Sequence, residues 1–155
     1  MSFSETGSNP SADETEIVND GFFPNISPAI ARASMRVDGT ATPERLRREL
    51  IEAMLNVNTQ LANWKASQVE LGFANLAAVP GTTVDQVKIN VHRYLRAVFC
   101  YATATINERY RNFDSTNVGN KKADDTEPTI DDLRRDAFWA IKDILGIPRS
   151  TIELI

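Results

Sequence analysis

Val84 to Phe113 reads VDQVKINVHRYLRAVFCYATATINERYRNF, with no proline and no glycine. Apolar residues recur at Val84, Val87, Val91, Tyr94, Leu95, Val98, Tyr101, Ala102 and Ile106, the three-and-four spacing of a helix with a face on a core. Unbroken, such a helix is about 45 Å long, as long as a small domain is wide. Its middle, Ala97 to Ile106, has no charge on any face. Lys88, Arg93 and Arg96 precede that middle, and Glu108, Arg109 and Arg111 follow it. A helix that is apolar all round is buried on several sides, and this stretch is far short of the roughly 20 residues that cross a bilayer. The reading is a central core helix, not a membrane anchor, on which the other elements pack.

The flanking segments supply those elements. Thr42-Pro43-Glu44 is a helix start, a capping residue followed by proline at the first helical position. Leu46, Leu50, Ala53, Met54, Val57, Leu61 and Trp64 then form one apolar stripe, predicting a helix near 43–70. On its opposite face Glu44 with Arg48, Arg45 with Glu49, and Arg48 with Glu52 are each four apart, the spacing of ion pairs on a solvated helix. Those interleaved glutamates argue against reading Arg45, Arg47 and Arg48 as a nucleic-acid contact. Gly72 to Gly81 turns the chain, and Thr82 or Thr83 is placed to cap the central helix. A short turn makes the two long helices antiparallel. Upstream, Ser27-Pro28 opens a short helix to about Val37, closed by Asp38-Gly39. Downstream, Thr129 with Asp132 three residues on resembles a capping box with a shorter acid. Ile130, Leu133, Ala137, Ile141 and Ile144 give the last helix its inner face, and Gly146 and Pro148 stop it. The fold class is all-α: an antiparallel bundle of three main helices (near 43–70, 84–113 and 129–145) and one short N-terminal helix, with no central sheet.

The length of 155 residues fits one domain with a real core. Cys100, the one cysteine, allows no internal disulfide and falls in the buried helix middle. No basic start followed by an apolar run opens the chain, so a cytoplasmic site of folding is the default expectation. The net charge of −4 is uneven: residues 1–20 carry five acids and no base, residues 21–113 eleven bases and seven acids, residues 114–155 six bases and nine acids. Nothing here is a basic stripe of the kind that neutralises phosphates. Catalytic patterns are also wanting. His92, the one histidine, has no second ligand at metal spacing, and there is no phosphate-binding glycine loop or nucleophile elbow. Asp124-Asp125 and Asp131-Asp132 are acidic pairs, the second in a helix's first turn, where the macrodipole favours negative charge without any catalytic role. The reading is a protein that is not an enzyme and takes no cofactor and no metal.

Three segments do not serve the bundle. Residues 1–21 are polar and acidic, a disordered or partner-ordered arm, and Phe22-Phe23-Pro24 then forms an extended anchor that docks either on its own core or on a partner. The loop Asp114 to Pro128, with Lys121 and Lys122 beside Asp124 and Asp125, is long and almost free of apolar residues, which marks it as functional or disordered. Beyond Pro148 the tail Arg149 to Ile155 is extended in character, with Ile152 and Leu154 on one side and Ile155 on the other. The plan is an arm at 1–21, a helical domain at 22–147 and a docking tail at 148–155.

The order of short motifs is itself informative. They are Phe22-Phe23-Pro24, Arg32-x-x-Met35-Arg36-x-x-Gly39-Thr40, Arg45-Leu46-Arg47 and Gly72-Phe73-x-x-Leu76-Ala77-x-Val79-Pro80. Then come Arg96-Ala97-Val98, Ala102-Thr103-Ala104 leading to Glu108-Arg109-Tyr110-Arg111, Gly119 with Lys121-Lys122-Ala123-Asp124, Thr129-Ile130-Asp131, Arg135-Asp136-x-x-Trp139-Ala140 and Pro148-Arg149. In this order and spacing, over roughly 22–155, the chain resembles the head-completion protein (GPL) family of temperate, contractile-tailed phages. The resemblance implies a structural virion protein, assembled in the host cytoplasm, that adds to the portal vertex after DNA packaging, retains the genome and offers the tail a surface. It implies as partners the portal protein, a tail terminator or other neck proteins, and further copies in a ring, by analogy with connectors a dodecamer. Packaged DNA would pass through the channel without sequence-specific contacts, and no membrane is involved. Read this way, Arg149, Ile152, Leu154 and Ile155 meet the portal or a neighbour, and Lys121, Lys122, Asp124 and Asp125 face the channel or portal. Two other classes compete: a helical nucleic-acid-binding regulator, which a steep salt dependence of DNA binding would reveal, and a capsid assembly chaperone, which would be missing from mature particles.

Overall fold

The computed structural model describes residues 14–37, 41–111 and 128–149. These are mostly helical: α1 (Pro28–Met35), α2 (Pro43–Gln60), α3 (Ala62–Glu70), α4 (Ile89–Arg111) and α5 (Ile130–Leu145), with a 3-10 turn at Leu76–Ala78 and two short strands, β1 (Thr83–Val84) and β2 (Val87–Lys88). The helix starts fall where the capping residues lie. Ser27 Oγ accepts from Ile30 N–H, and Thr42 Oγ1 from Arg45 N–H, each with proline next. Thr129 and Asp132 form a reciprocal capping box, and Gly146 (φ 71°) ends α5 in the left-handed region that a residue without a Cβ enters freely.

Two boundaries differ from the sequence reading. The expected helix near 43–70 is two helices, jointed at Leu61. Leu61 (φ −97°, ψ 2°) leaves the helical region, yet its N–H still donates to Val57 O (3.0 Å) and Lys65 N–H to Leu61 O (2.8 Å), so two backbone bonds carry across the joint. The central helix starts at Ile89, not Val84, and Thr82 and Thr83 are not its caps. Residues 83–88 instead form an antiparallel hairpin pairing Thr83 with Lys88 and Val84 with Val87. Asp85 (φ 49°) and Gln86 (φ 61°) at its tip both have the positive φ that a two-residue hairpin turn demands. His92 Nε2 donates to Val84 O (2.8 Å), tying the hairpin to the first turn of α4. Residues three apart are neighbours on a helix face and also across such a turn, so the spacing of Val84 and Val87 fits both structures.

α4 lies between α2 and α5, which scarcely touch each other. Glu49 meets Arg109 while Asn58 meets Tyr94, so α2 and α4 run antiparallel. Arg134 meets Glu108 while Arg93 Nη1 donates to Asp143 O, so α4 and α5 do too. The middle of α4 is as enclosed as its composition implies: Ala97, Val98, Phe99, Cys100, Ala102, Thr103, Ala104 and Ile106 are all buried. Ala104 and Ala137, both fully buried with Cys100 and Leu133, let α4 and α5 approach closely. The larger core, from Leu46, Leu50, Val57, Leu61 and Tyr94 to Ile141 and Ile144, joins the three helices to the N-terminal segment.

That N-terminal segment, residues 14–27, straps the bundle. Ile17, read from the sequence as part of a polar arm, is buried and exchanges both backbone hydrogen bonds with Ile26 (2.7 and 3.0 Å). Arg47 Nη1 donates to Thr15 O at 2.8 Å, fastening the strap's start to α2. Residues 1–13 of the expected arm lie outside the described residues.

Candidate functional site

The first group of sequence-selected residues is Phe22 and Phe23, and both rings lie in the chain's own core. Phe23 stacks on Tyr94 with centroids 4.8 Å apart and planes at 7°, and Phe22 meets Phe23 edge-on at 5.1 Å. Asp20 Oδ1 accepts from the backbone N–H of Phe22 (3.0 Å) and Phe23 (2.9 Å), while its other oxygen pairs with Lys65 Nζ at 2.8 Å. Partial burial pushes this carboxyl up, but the Lys65 bond and the two amides outweigh it and hold it below the usual carboxylate range. Its contribution to stability is therefore whole above the ordinary carboxylate pKa and is lost as the pH falls below it. Behind the rings, Asn19 Nδ2 donates to Tyr94 Oη (2.8 Å), Tyr94 Oη to Asn58 Oδ1 (2.6 Å), and Asn58 Nδ2 back to Asn19 Oδ1 (2.9 Å). This closed ring of three side chains joins strap, α4 and α2.

At the same end of the bundle, where Arg93 of α4 reaches Asp143, Arg149 is where the chain leaves α5. Its Nη2 pairs with Asp143 Oδ2 at 2.7 Å, and its guanidinium carbon is 4.7 Å from the centroid of Trp139. Arg135, held by Asp132 and Asp136, lies 4.8 Å from the same ring. The Asp143 bond raises the Arg149 pKa further. Arg149 is thus clamped to α5 directly before the tail. Ile152, Leu154 and Ile155 of that tail, and Lys121, Lys122, Asp124 and Asp125 of the long loop, lie outside the described residues.

A third feature escaped the sequence reading. Between α2 and α4 runs an open groove of about 600 Å³, lined in part by Arg48, Glu52, Leu55, Tyr101, Thr105 and Arg109. Glu49, expected on a solvated face, is buried at the groove's base, and its Oε1 pairs with Arg109 Nη1 at 3.2 Å. Residues at the seam of two helices are reached by long side chains from both, and heptad counting on one helix does not reveal the partner. Among the described residues no group of three or more His, Cys, Asp or Glu could hold a metal ion, and no helix is long and apolar enough to cross a membrane. Cys100 lies in the α4–α5 seam, where burial pushes its thiol up and away from the reactive thiolate, against an opposing pull from Arg96.

The described residues thus form a strapped helical bundle whose outward features are a groove of mixed polar and apolar lining, an aromatic–guanidinium cluster and a clamped end to α5. The chain belongs to the phage head completion protein (GPL) family, whose sequence profile matches residues 17–155. It is 41% identical over 146 residues to the head completion/stabilization protein of Escherichia phage P2, covering 94% of this chain and 86% of that protein. No solved structure matches it significantly. Membership assigns the chain a structural part in completing the phage head.

Proposed function

We propose that the protein is a ring subunit that binds the portal vertex after DNA packaging, retains the genome and supplies the surface to which the tail attaches. The observation that carries this reading is the family match over 17–155, which takes in bundle, loop and tail together. The clamp at Arg149 supports a role for the tail: Asp143 and Trp139 fix where it leaves the bundle, so 150–155 starts from a defined point. In this reading Ile152, Leu154 and Ile155 add as a strand to a sheet edge on the portal or a neighbouring subunit, with backbone hydrogen bonds giving affinity and side-chain pockets giving register. Deletion of Ser150 to Ile155 tests it. The truncated protein is expected to melt within a few degrees of the full chain and to be missing from purified heads. A truncated protein that melts far lower assigns the tail to its own core, and one that still enters heads removes the docking role.

Lys121 and Lys122 beside Asp124 and Asp125 give the loop a mixed charge. A wall of that kind lets DNA slide past, whereas a uniformly basic one holds phosphates. Replacing both lysines with alanine is expected to change genome retention or head assembly while leaving the thermal unfolding curve in place. Unchanged DNA content and unchanged yield of filled heads would remove the loop from the channel.

A further inference from the structure

We propose that the α2–α4 groove receives the outer face of α5 from a second copy of the chain, with Phe138 entering the groove and Lys142 pairing with Glu52. This rests on the ring reading above and names the surfaces that would build the ring.

Two apolar surfaces are left uncovered on different flanks. On α2, Ile51 and Leu55 are 37% and 56% exposed beside the groove; on α5, Phe138 is 47% exposed. Because α4 separates α2 from α5, one copy cannot bring these two surfaces together. Their charges are also unmatched at home. Glu52 and Arg48 on the groove rim have no ion partner among the described residues, nor has Lys142, whose Nζ lies 5.0 Å from the Phe138 centroid. One flank thus offers an unpaired carboxylate beside apolar groups, and the other an unpaired ammonium beside an aromatic ring.

Spacing and direction agree with that match. α2 and α5 are both antiparallel to α4, so they point the same way. Rotation about an axis along the bundle carries α5 of one copy alongside α2 of the next with the two still parallel. Phe138 and Lys142 are four apart, as are Arg48 and Glu52, so each pair spans about one turn, near 6 Å. In that register the Phe138 ring meets the Arg48 guanidinium, a favourable cation–π contact, as Lys142 meets Glu52. Leu145 then comes opposite Leu55. Each copy uses one flank as donor and the other as acceptor, a head-to-tail contact that closes into a ring.

The test is made on purified phage heads carrying the full chain with Glu52→Cys and Lys142→Cys together. Mild oxidation is expected to give a ladder of covalent multimers that collapses on reduction, while either cysteine alone gives monomers. Charge exchange is the second measurement. Glu52→Lys or Lys142→Glu alone is expected to lower the copies retained per head about tenfold or more, and the two together to restore them. No ladder, dimers from a single variant, or retention unaffected by either reversal overturns the α2–α5 contact while leaving the head-completion reading intact. Absence of the unsubstituted chain from purified heads overturns both.

Discussion

Replacing Phe23 with alanine is expected to cost about 3–5 kcal/mol of unfolding free energy, the usual penalty for emptying a buried phenyl site. For a chain of this size that lowers the melting temperature by roughly 6–20 °C. The ring is 3% exposed, stacks on Tyr94 and meets Phe22 edge-on, so the cavity opens where strap and α4 join. The loss should also be unevenly spread. Amide exchange at Ile17 and Ile26, whose bridge depends on the strap staying down, is expected to accelerate more than exchange in the α4–α5 seam. Ile30→Ala is the control: at 60% exposure it should change stability by less than about 0.5 kcal/mol. A Phe23→Ala protein within 1 kcal/mol of the parent would mean that the aromatic pair is not a core anchor and would return it to the partner-docking role.

What the sequence made legible was periodic or local. The uncharged middle of α4, the stripe from Leu46 to Leu61, the inner face of α5 and the caps at Ser27, Thr42, Thr129 and Gly146 each depend on residues within a few positions of one another, and each is in place. The hairpin was hidden because Val84 and Val87 suit a helix face and a two-residue turn equally, and Asp85-Gln86 lacks the glycine that usually betrays positive φ. The joint at Leu61 was hidden because no proline or glycine marks it. The surfaces were least legible of all. Glu49 looked solvated until Arg109, sixty positions away, proved to be its partner, and the guanidinium of Arg149 on Trp139 required the chain to turn back past the end of α5. The polar ring of Asn19, Asn58 and Tyr94 has no period to detect; its members look like ordinary polar and aromatic residues until the fold brings them together.

That polar ring carries the pH dependence expected at the alkaline end. Tyr94 is fully buried. Burial pushes its phenol far above the usual value; the Asn19 donor works against that, and the Asp20 carboxylate adds to it. A phenol whose folded pKa is raised binds its proton more tightly in the folded chain than in the unfolded one. Its contribution is therefore whole below the unfolded value near pH ~10 and is lost as the pH rises above it, by ~1.4 kcal/mol per pH unit. Tyr94→Phe keeps the ring on Phe23 but leaves Asn58 Oδ1 without its donor and one Asn19 Nδ2 hydrogen without its acceptor. At pH 8 the variant is expected to be less stable by about 1–3 kcal/mol, the cost of stranding buried polar groups. Above pH 10 it should lose stability more slowly than the parent, because it has no phenol at this position to titrate. The unfolding free energies of the two proteins, from urea curves taken between pH 8 and pH 11.5, should therefore converge by up to ~2 kcal/mol. A gap between the two proteins that stays constant over that range would show that Tyr94 is not held protonated by the fold, and a variant as stable as the parent at pH 8 would show that the ring of hydrogen bonds contributes nothing net.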